Sequence, residues 1–227
     1  IPLTRASLAM RPEDSPRPRV SESGVRSTPD DDKYNKPRRP DPEEMLWMGM
    51  PVSVLKERVT VLAGLMIIQS LSGMILARFE DMIQKHVVVT LFLTMLVGAG
   101  GNAGNQSTVN IIRGLATGAV NNANARTMVL VEAKLGLSLG IVLATLAWAR
   151  VLLTGNDGVS AMAIGASVFC IVATSTVVGA ALPILLYRNG VDAAHAGPAI
   201  QVLMDIVGVT ITCLICAQLF SMFGVDK

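Results

Sequence analysis

Beyond residue 58 the chain is almost wholly apolar, broken at short intervals by clusters of charged and turn-forming residues. A helix needs about 20 mostly apolar residues to cross a bilayer, and five stretches meet that length: residues 59–77, 87–112, 127–149, 160–187 and 194–220. The second stretch changes character halfway, ending in glycine and asparagine. The links 78–86, 113–126, 150–159 and 188–193 are short, and Gly155-Asn156-Asp157-Gly158 reads as a turn. Short links make consecutive helices antiparallel neighbours. The expected fold is therefore an all-α integral membrane domain over residues 45–227, with five transmembrane helices packed as one bundle in the lipid bilayer.

Composition sharpens the division. The whole chain is 51% hydrophobic, yet residues 1–44 hold 18 of its 36 charged residues and 8 of its 11 prolines. Such a segment cannot bury enough apolar surface to offset chain entropy and is expected to be a disordered tail. It carries nine acidic residues, unlike an acid-poor organelle transit peptide. The first residue is Ile rather than Met, which reads as a processed or truncated product, and 44 residues leave no room for a regulatory domain. A net charge of +2 with scattered basic residues offers no face for nucleic acid. The cysteines, Cys170, Cys213 and Cys216, lie in apolar runs and read as packing residues, including the Cys213-x-x-Cys216 pair, which lacks a second pair or a nearby His.

Lysine and arginine bias orients such a bundle. Lys36, Arg38, Arg39, Lys56, Arg58, Arg113, Arg126 and Arg188 fall on the N-terminal side, against Arg78, Lys85, Arg150 and Lys227 opposite. The N-terminus is expected on the cytoplasmic side, or its topological equivalent in an organelle.

Polar residues at bilayer depth are the candidates for function, because burying them is costly. Asp205 lies about 10 residues into the fifth span, roughly 15 Å deep. Pro198, Gln201, Asp205, Gly208, Thr212 and Cys216 follow at spacings of three and four, one polar or small stripe suited to a hydrated path. The alternative is an aspartate paired with a basic side chain or capping a broken helix. The second span ends in Gly98-Ala99-Gly100-Gly101-Asn102-Ala103-Gly104-Asn105-Gln106-Ser107-Thr108, poor helix material in water. Irregular backbone at membrane depth is tolerated only where it is buried or lines water. There Asn102, Asn105 and Gln106 present neutral oxygens on one face, which with one carboxylate suits a hard, largely hydrated divalent cation. The competing reading is a close helix crossing through small residues. Gly136, Gly140 and Ala144 in the third span read as a packing face. Glu132, one turn earlier, is expected at the membrane edge, bonded to Lys134 or Arg126 or adding negative potential at a pore mouth. His86 and His195 fall at opposite ends of spans and read as interfacial side chains.

Enzyme chemistry finds no support. An intramembrane aspartyl protease needs two deep aspartates sharing a proton, and only Asp205 is deep. No His-Glu-x-x-His occurs, and the one Gly-x-Ser-x-Gly, Gly136 to Gly140, lies inside the third apolar span rather than at a strand-to-helix turn.

The run from Leu96 to Ser107, followed by Ile112-Arg113-Gly114-Leu115-Ala116-Thr117-Gly118, resembles the signature of the MgtE-type magnesium transporters. Asp192-Ala193-Ala194-His195-Ala196-Gly197-Pro198 with Asp205-Ile206-Val207-Gly208 resembles the start of that family's fifth membrane helix. The resemblance covers about residues 52–220 and extends to animal solute-carrier relatives. It implies a homodimer whose pore is completed by dimerisation, with the second and fifth helices of both subunits around a path for Mg²⁺. Asp205 matches the family's ion-binding aspartate, and Asn102 and Asn105 fall in the segment bordering the path. Gly98, Gly101, Gln106, Pro198, Gln201, Gly208 and Thr212 become pore-lining candidates, with Glu132 at the pore mouth. Bacterial members also carry cytosolic Mg²⁺-sensing CBS domains, so gating here is expected to fall to a missing part or a separate regulatory subunit. Mn²⁺, Co²⁺ or Zn²⁺ as cargo, and a non-transporting sensor or assembly subunit, are the alternatives.

Overall fold

Each of the five apolar stretches is a single helix that runs past the limit hydropathy assigned it at one or both ends. The computed structural model describes residues 52–224, so the expected disordered tail, residues 1–44, lies outside the described residues. The helices are α1 (Val52–Arg78), α2 (Glu80–Lys85), α3 (Val87–Thr117), α4 (Ala125–Leu153), α5 (Gly158–Arg188) and α6 (Ala196–Phe223), with a 3₁₀ turn at Ala193–His195 before α6. All but α2 are long and apolar enough to cross a membrane. The extra turns arise because an apolar window marks the hydrocarbon slab, whereas the backbone ladder continues until a cap stops it. Gly118 caps α3 in the left-handed region (φ 76°), with its N–H on the Leu115 carbonyl. The link 78–86, expected as a connection, contains α2, whose acids lead and whose Lys85 trails, as the helix dipole favours.

Asp157 starts α5 by accepting the Ser160 backbone N–H (2.9 Å) and the Ser160 hydroxyl (2.6 Å). These bonds, the hydroxyl above all, hold its carboxyl below the ordinary value of 3.8. A lowered folded-state pKa stabilises the fold above the ordinary carboxylate value, and the contribution disappears as pH falls through the lowered one. Asp157→Ala is expected to cost about 1 kcal/mol at neutral pH, as caps do. Thermal unfolding scans from pH 7 down to 3 check this, with the difference between variant and parent closing at the acid end.

α5 is the centre of the bundle, packed against α3, α4 and α6, while α1 packs chiefly on α6. Its apolar core gathers Leu96, Ile164, Val168, Ile171, Val172 and Phe220, all 2% exposed or less. By contrast, nothing in the apolar window of α1 is buried, and Met66 and Ile67 are each 68% exposed. In water such a surface would drive aggregation; in hydrocarbon it is at rest.

Small residues set the crossings, as expected where lipid removes the hydrophobic drive between helices. On α4, Gly136 faces Thr176 and Gly140 faces Phe169 of α5, the packing role anticipated for that face. The glycine run of α3 is an unbroken helix, not irregular backbone. Gly100 lies against Ile171, and Gly104 lies against Ser175 and the backbone of Gly179. Neighbouring helices thus supply what the glycines lack in water, and the close-crossing reading describes Gly100 and Gly104.

One crossing bond has a backbone origin. Pro183 sits inside α5 and has no N–H to give the carbonyl of residue 179, four positions earlier. The Thr108 hydroxyl of α3 donates to that Gly179 carbonyl instead (2.9 Å). Thr108→Val is expected to destabilise by about 1–3 kcal/mol by leaving a buried carbonyl unmet. An SDS-unfolding midpoint checks this, with Thr108→Ser staying close to the parent. Among the described residues every buried side-chain nitrogen or oxygen has a hydrogen-bond partner.

Candidate functional site

α3 and α6 run antiparallel, and three near-contacts fix their register: Asn105 by Gly197, Gly101 by Gln201, and Val97 by Gly208. That register brings Asp205 level with Val97 and Gly98. Asp205 stands nine residues after the start of α6, about 14 Å along the axis, near the middle of a span. It is half-buried in a cleft of about 330 Å³ walled by Gln69 and Ser72 of α1, Thr94, Val97 and Gly98 of α3, and Gln201 of α6.

Both hydrogen-bond partners of Asp205 are neutral carboxamides. Gln69 donates through Nε2 to one carboxylate oxygen, and Gln201 donates through Nε2 to the other at 3.3 Å. Gln201 stays there because Gly101, with no side chain, leaves room for it. Two amide dipoles hold the carboxylate in position without cancelling its charge. Among the described residues no three His, Cys, Asp or Glu side chains converge as a metal cage.

The sequence-predicted site residues divide into groups. Gly98, Gln201 and Asp205 line the cleft, and Gly101 floors it through Gln201. Asn102, Asn105 and Gln106 are exposed on the continuation of the same face of α3 toward its C-terminal end, and Pro198 is exposed in the first turn of α6. Gly208 and Thr212 are buried inside the protomer: Gly208 lies beside Val97 and Ile171, and the Thr212 hydroxyl donates to the Gly208 carbonyl (2.8 Å). The stripe read from spacing is therefore exposed in its first half and buried in its second.

Gln69, Ser72 and Thr94 were not anticipated. The available signal was faint: Gln69 is the one carboxamide in the first span, beside the hydroxyls of Thr60, Ser70 and Ser72.

The model of the MgtE family, described as divalent cation transporters, matches residues 93–215, more than half of the chain. This chain belongs to the MgtE family. Similar proteins include the magnesium transporter MgtE of Thermus thermophilus, 35% identical over 162 residues, covering 71% of this chain and 36% of that protein. The magnesium transporter MgtE of Bacillus subtilis is 30% identical over 155 residues, covering 68% and 34%. That of Enterococcus faecalis is 26% identical over 174 residues, covering 76% and 38%. The chain thus spans about a third of the length of these relatives. With five helices apolar enough to span, it is a multi-pass membrane protein.

Within this MgtE domain a second carboxylate is buried. Glu132 of α4 is 3% exposed and accepts from the Ser107 hydroxyl and the Asn110 amide of α3, each at 2.7 Å. The bonds run across the bundle to α3, where the sequence suggested Lys134 or Arg126 on its own helix, both of which are exposed. Glu132 ties α4 to α3 through Ser107 and Asn110, the latter one turn after Gln106. At the far end of the bundle the His86 ring stacks on Phe220, centroids 3.9 Å apart. Cys213 and Cys216 are buried free thiols.

Proposed function

We propose that this chain moves Mg²⁺ across a membrane, with Asp205 as the ion's charged contact. The supporting observation is a mid-span carboxylate, fixed by two neutral amides, in a cleft where Gln69, Ser72, Thr94 and Gln201 stand among Leu93, Val97 and Val209. The magnesium transporter names of its relatives point the same way. Mg²⁺ demands octahedral oxygen coordination and gives up water reluctantly. Six waters at about 30 Å³ each fill roughly 180 Å³, less than the cleft of about 330 Å³. The cleft therefore suits an ion that keeps its shell, read through water by Asp205 and by the oxygens of Gln69 and Gln201.

One protomer offers one negative charge to a doubly charged ion, along a cleft open on one side. A homodimer supplies a second Asp205 across a twofold axis and closes the path between the second and fifth spans, α3 and α6, of both copies. Asn102, Asn105 and Gln106 then continue the path toward the C-terminal end of α3. The Lys/Arg bias puts that end, with the N-terminus, on the cytoplasmic side. A potential of 100 mV drives a divalent ion with roughly 4.6 kcal/mol. Any gating comes from a separate regulatory subunit or from parts of the protein outside this chain.

The test is Mg²⁺ uptake into liposomes holding the purified chain, with Ca²⁺, Mn²⁺, Co²⁺ and Zn²⁺ as competitors. Uptake above that of empty liposomes is expected. Folded protein without uptake would overturn the transport reading in favour of a sensor or assembly subunit, and preference for another metal would change the cargo.

A further inference from the structure

A groove of about 650 Å³ runs along the outer face of α4 and α5 and shares no residue with the Asp205 cleft. Its trough is apolar, formed by Val129, Leu130, Val178, Leu182 and Leu185, and Arg126 and Arg188 also line it. The chain order explains their position. Arg126 is the second residue of α4 and Arg188 the last of α5, and these helices are antiparallel neighbours, so both guanidiniums stand at the same end of the trough. No acid in the first turn of α4 offsets Arg126. Arg188 donates through Nε to the Asn122 Oδ1 (3.1 Å), a neutral acceptor that holds the guanidinium without cancelling its charge.

Two cationic forks at the mouth of an apolar trough on a membrane-facing surface match one chemistry: a phosphate diester carrying long hydrocarbon chains. We propose that this groove binds one anionic phospholipid. An acyl chain lies along Val129, Val178 and Leu182, and the phosphate oxygens accept from Arg126 and Arg188, as guanidinium forks favour. A zwitterionic lipid brings its own cation to the same place, so the anionic headgroup is preferred. Both arginines lie on the side that the Lys/Arg bias assigns to the cytoplasm, whose leaflet carries the anionic lipid.

The test titrates the full chain, delipidated in mild detergent, with phosphatidylglycerol and with phosphatidylcholine of identical acyl chains. Native mass spectrometry counts bound lipid, and glycerol phosphate serves as a headgroup without chains. One phosphatidylglycerol is expected to be retained in preference to phosphatidylcholine, with glycerol phosphate not retained. Each arginine is expected to contribute roughly fivefold, so Arg126→Gln with Arg188→Gln weakens binding about 25-fold. Ala181→Trp, which fills the trough and leaves both charges in place, is expected to weaken it as well. Equal retention of the two lipids overturns the proposal. So does an unchanged Ala181→Trp, or an equal loss in Arg113→Gln, which removes a charge from the same side outside the groove. If the double variant does not fold, the lipid preference of the parent and the Ala181→Trp result decide. Binding is the readout, so the outcome stands apart from transport.

Discussion

Asp205→Asn is expected to cut Mg²⁺ flux at least about tenfold while the protein elutes from gel filtration as the parent does. The substitution keeps the shape of the side chain and removes the charge; it also turns one accepting oxygen into an N–H₂ donor, so one of Gln69 and Gln201 must turn its amide to accept instead of donate. At a water-mediated separation of about 5 Å and an effective dielectric near 20, a carboxylate attracts a divalent ion by roughly 6–7 kcal/mol before desolvation is counted. Desolvation of both groups offsets most of that, yet a net loss of only about 1.4 kcal/mol per ion contact gives the tenfold change. With only amides and hydroxyls as its polar groups, the cleft would still admit water and would no longer favour a cation over it. Asp205→Glu is the companion variant, retaining charge but displacing it by one methylene; partial flux there separates the need for charge from the need for position. Parent-like flux in Asp205→Asn would remove Asp205 from the path and leave the α1–α3–α6 cleft without its assigned role.

The parts of this architecture legible in the sequence are those a bilayer imposes locally. A 20-residue apolar run has one stable form in hydrocarbon, so five spans could be counted without knowing their neighbours. Asp205 was legible for the same reason: one deep carboxylate in an apolar helix stands out whatever surrounds it. What depends on the neighbour was not legible. Spacing grouped Gln201, Asp205, Gly208 and Thr212 on one stripe, but Val97 and Ile171 decide that Gly208 is buried. Gln69 reaches Asp205 from a helix 136 residues earlier in the chain, a distance no periodicity spans. For Glu132 the sequence offered Lys134 and Arg126 as partners because they are near in the chain, yet the side chain turns to Ser107 and Asn110 on α3. The glycine run misled in an instructive way. Helix propensities measured in water penalise glycine for lost chain entropy and exposed backbone, whereas here the same bareness admits Ile171, Gln201 and Ser175.

That argument has a direct consequence at Gly179, where the expected structural effect is largest. A methyl group there would lie 2.9 Å from both the Cα and the carbonyl carbon of Gly104. The obstacle is backbone inside a long helix, which cannot rotate aside as a side-chain tip does. α5 and α3 must therefore separate, which stretches the Thr108 bond to the Gly179 carbonyl and opens the neighbouring bond from Ser175 to the Gly100 carbonyl. Overpacking costs about 1–3 kcal/mol where side chains can adjust. With rigid backbone and two crossing bonds at stake, Gly179→Ala is expected at or above the upper end, about 3 kcal/mol, read as a fall in the SDS-unfolding midpoint and in the yield of folded protein. Gly73→Ala in α1 is the control, since nothing lies within 4 Å of the added methyl. There alanine's better helix propensity should leave stability unchanged or raise it by up to about 1 kcal/mol. Equal behaviour of the two variants would mean that α3 and α5 do not meet at Gly104 and Gly179, and the crossing bonds from Thr108 and Ser175 would lose the close approach they depend on.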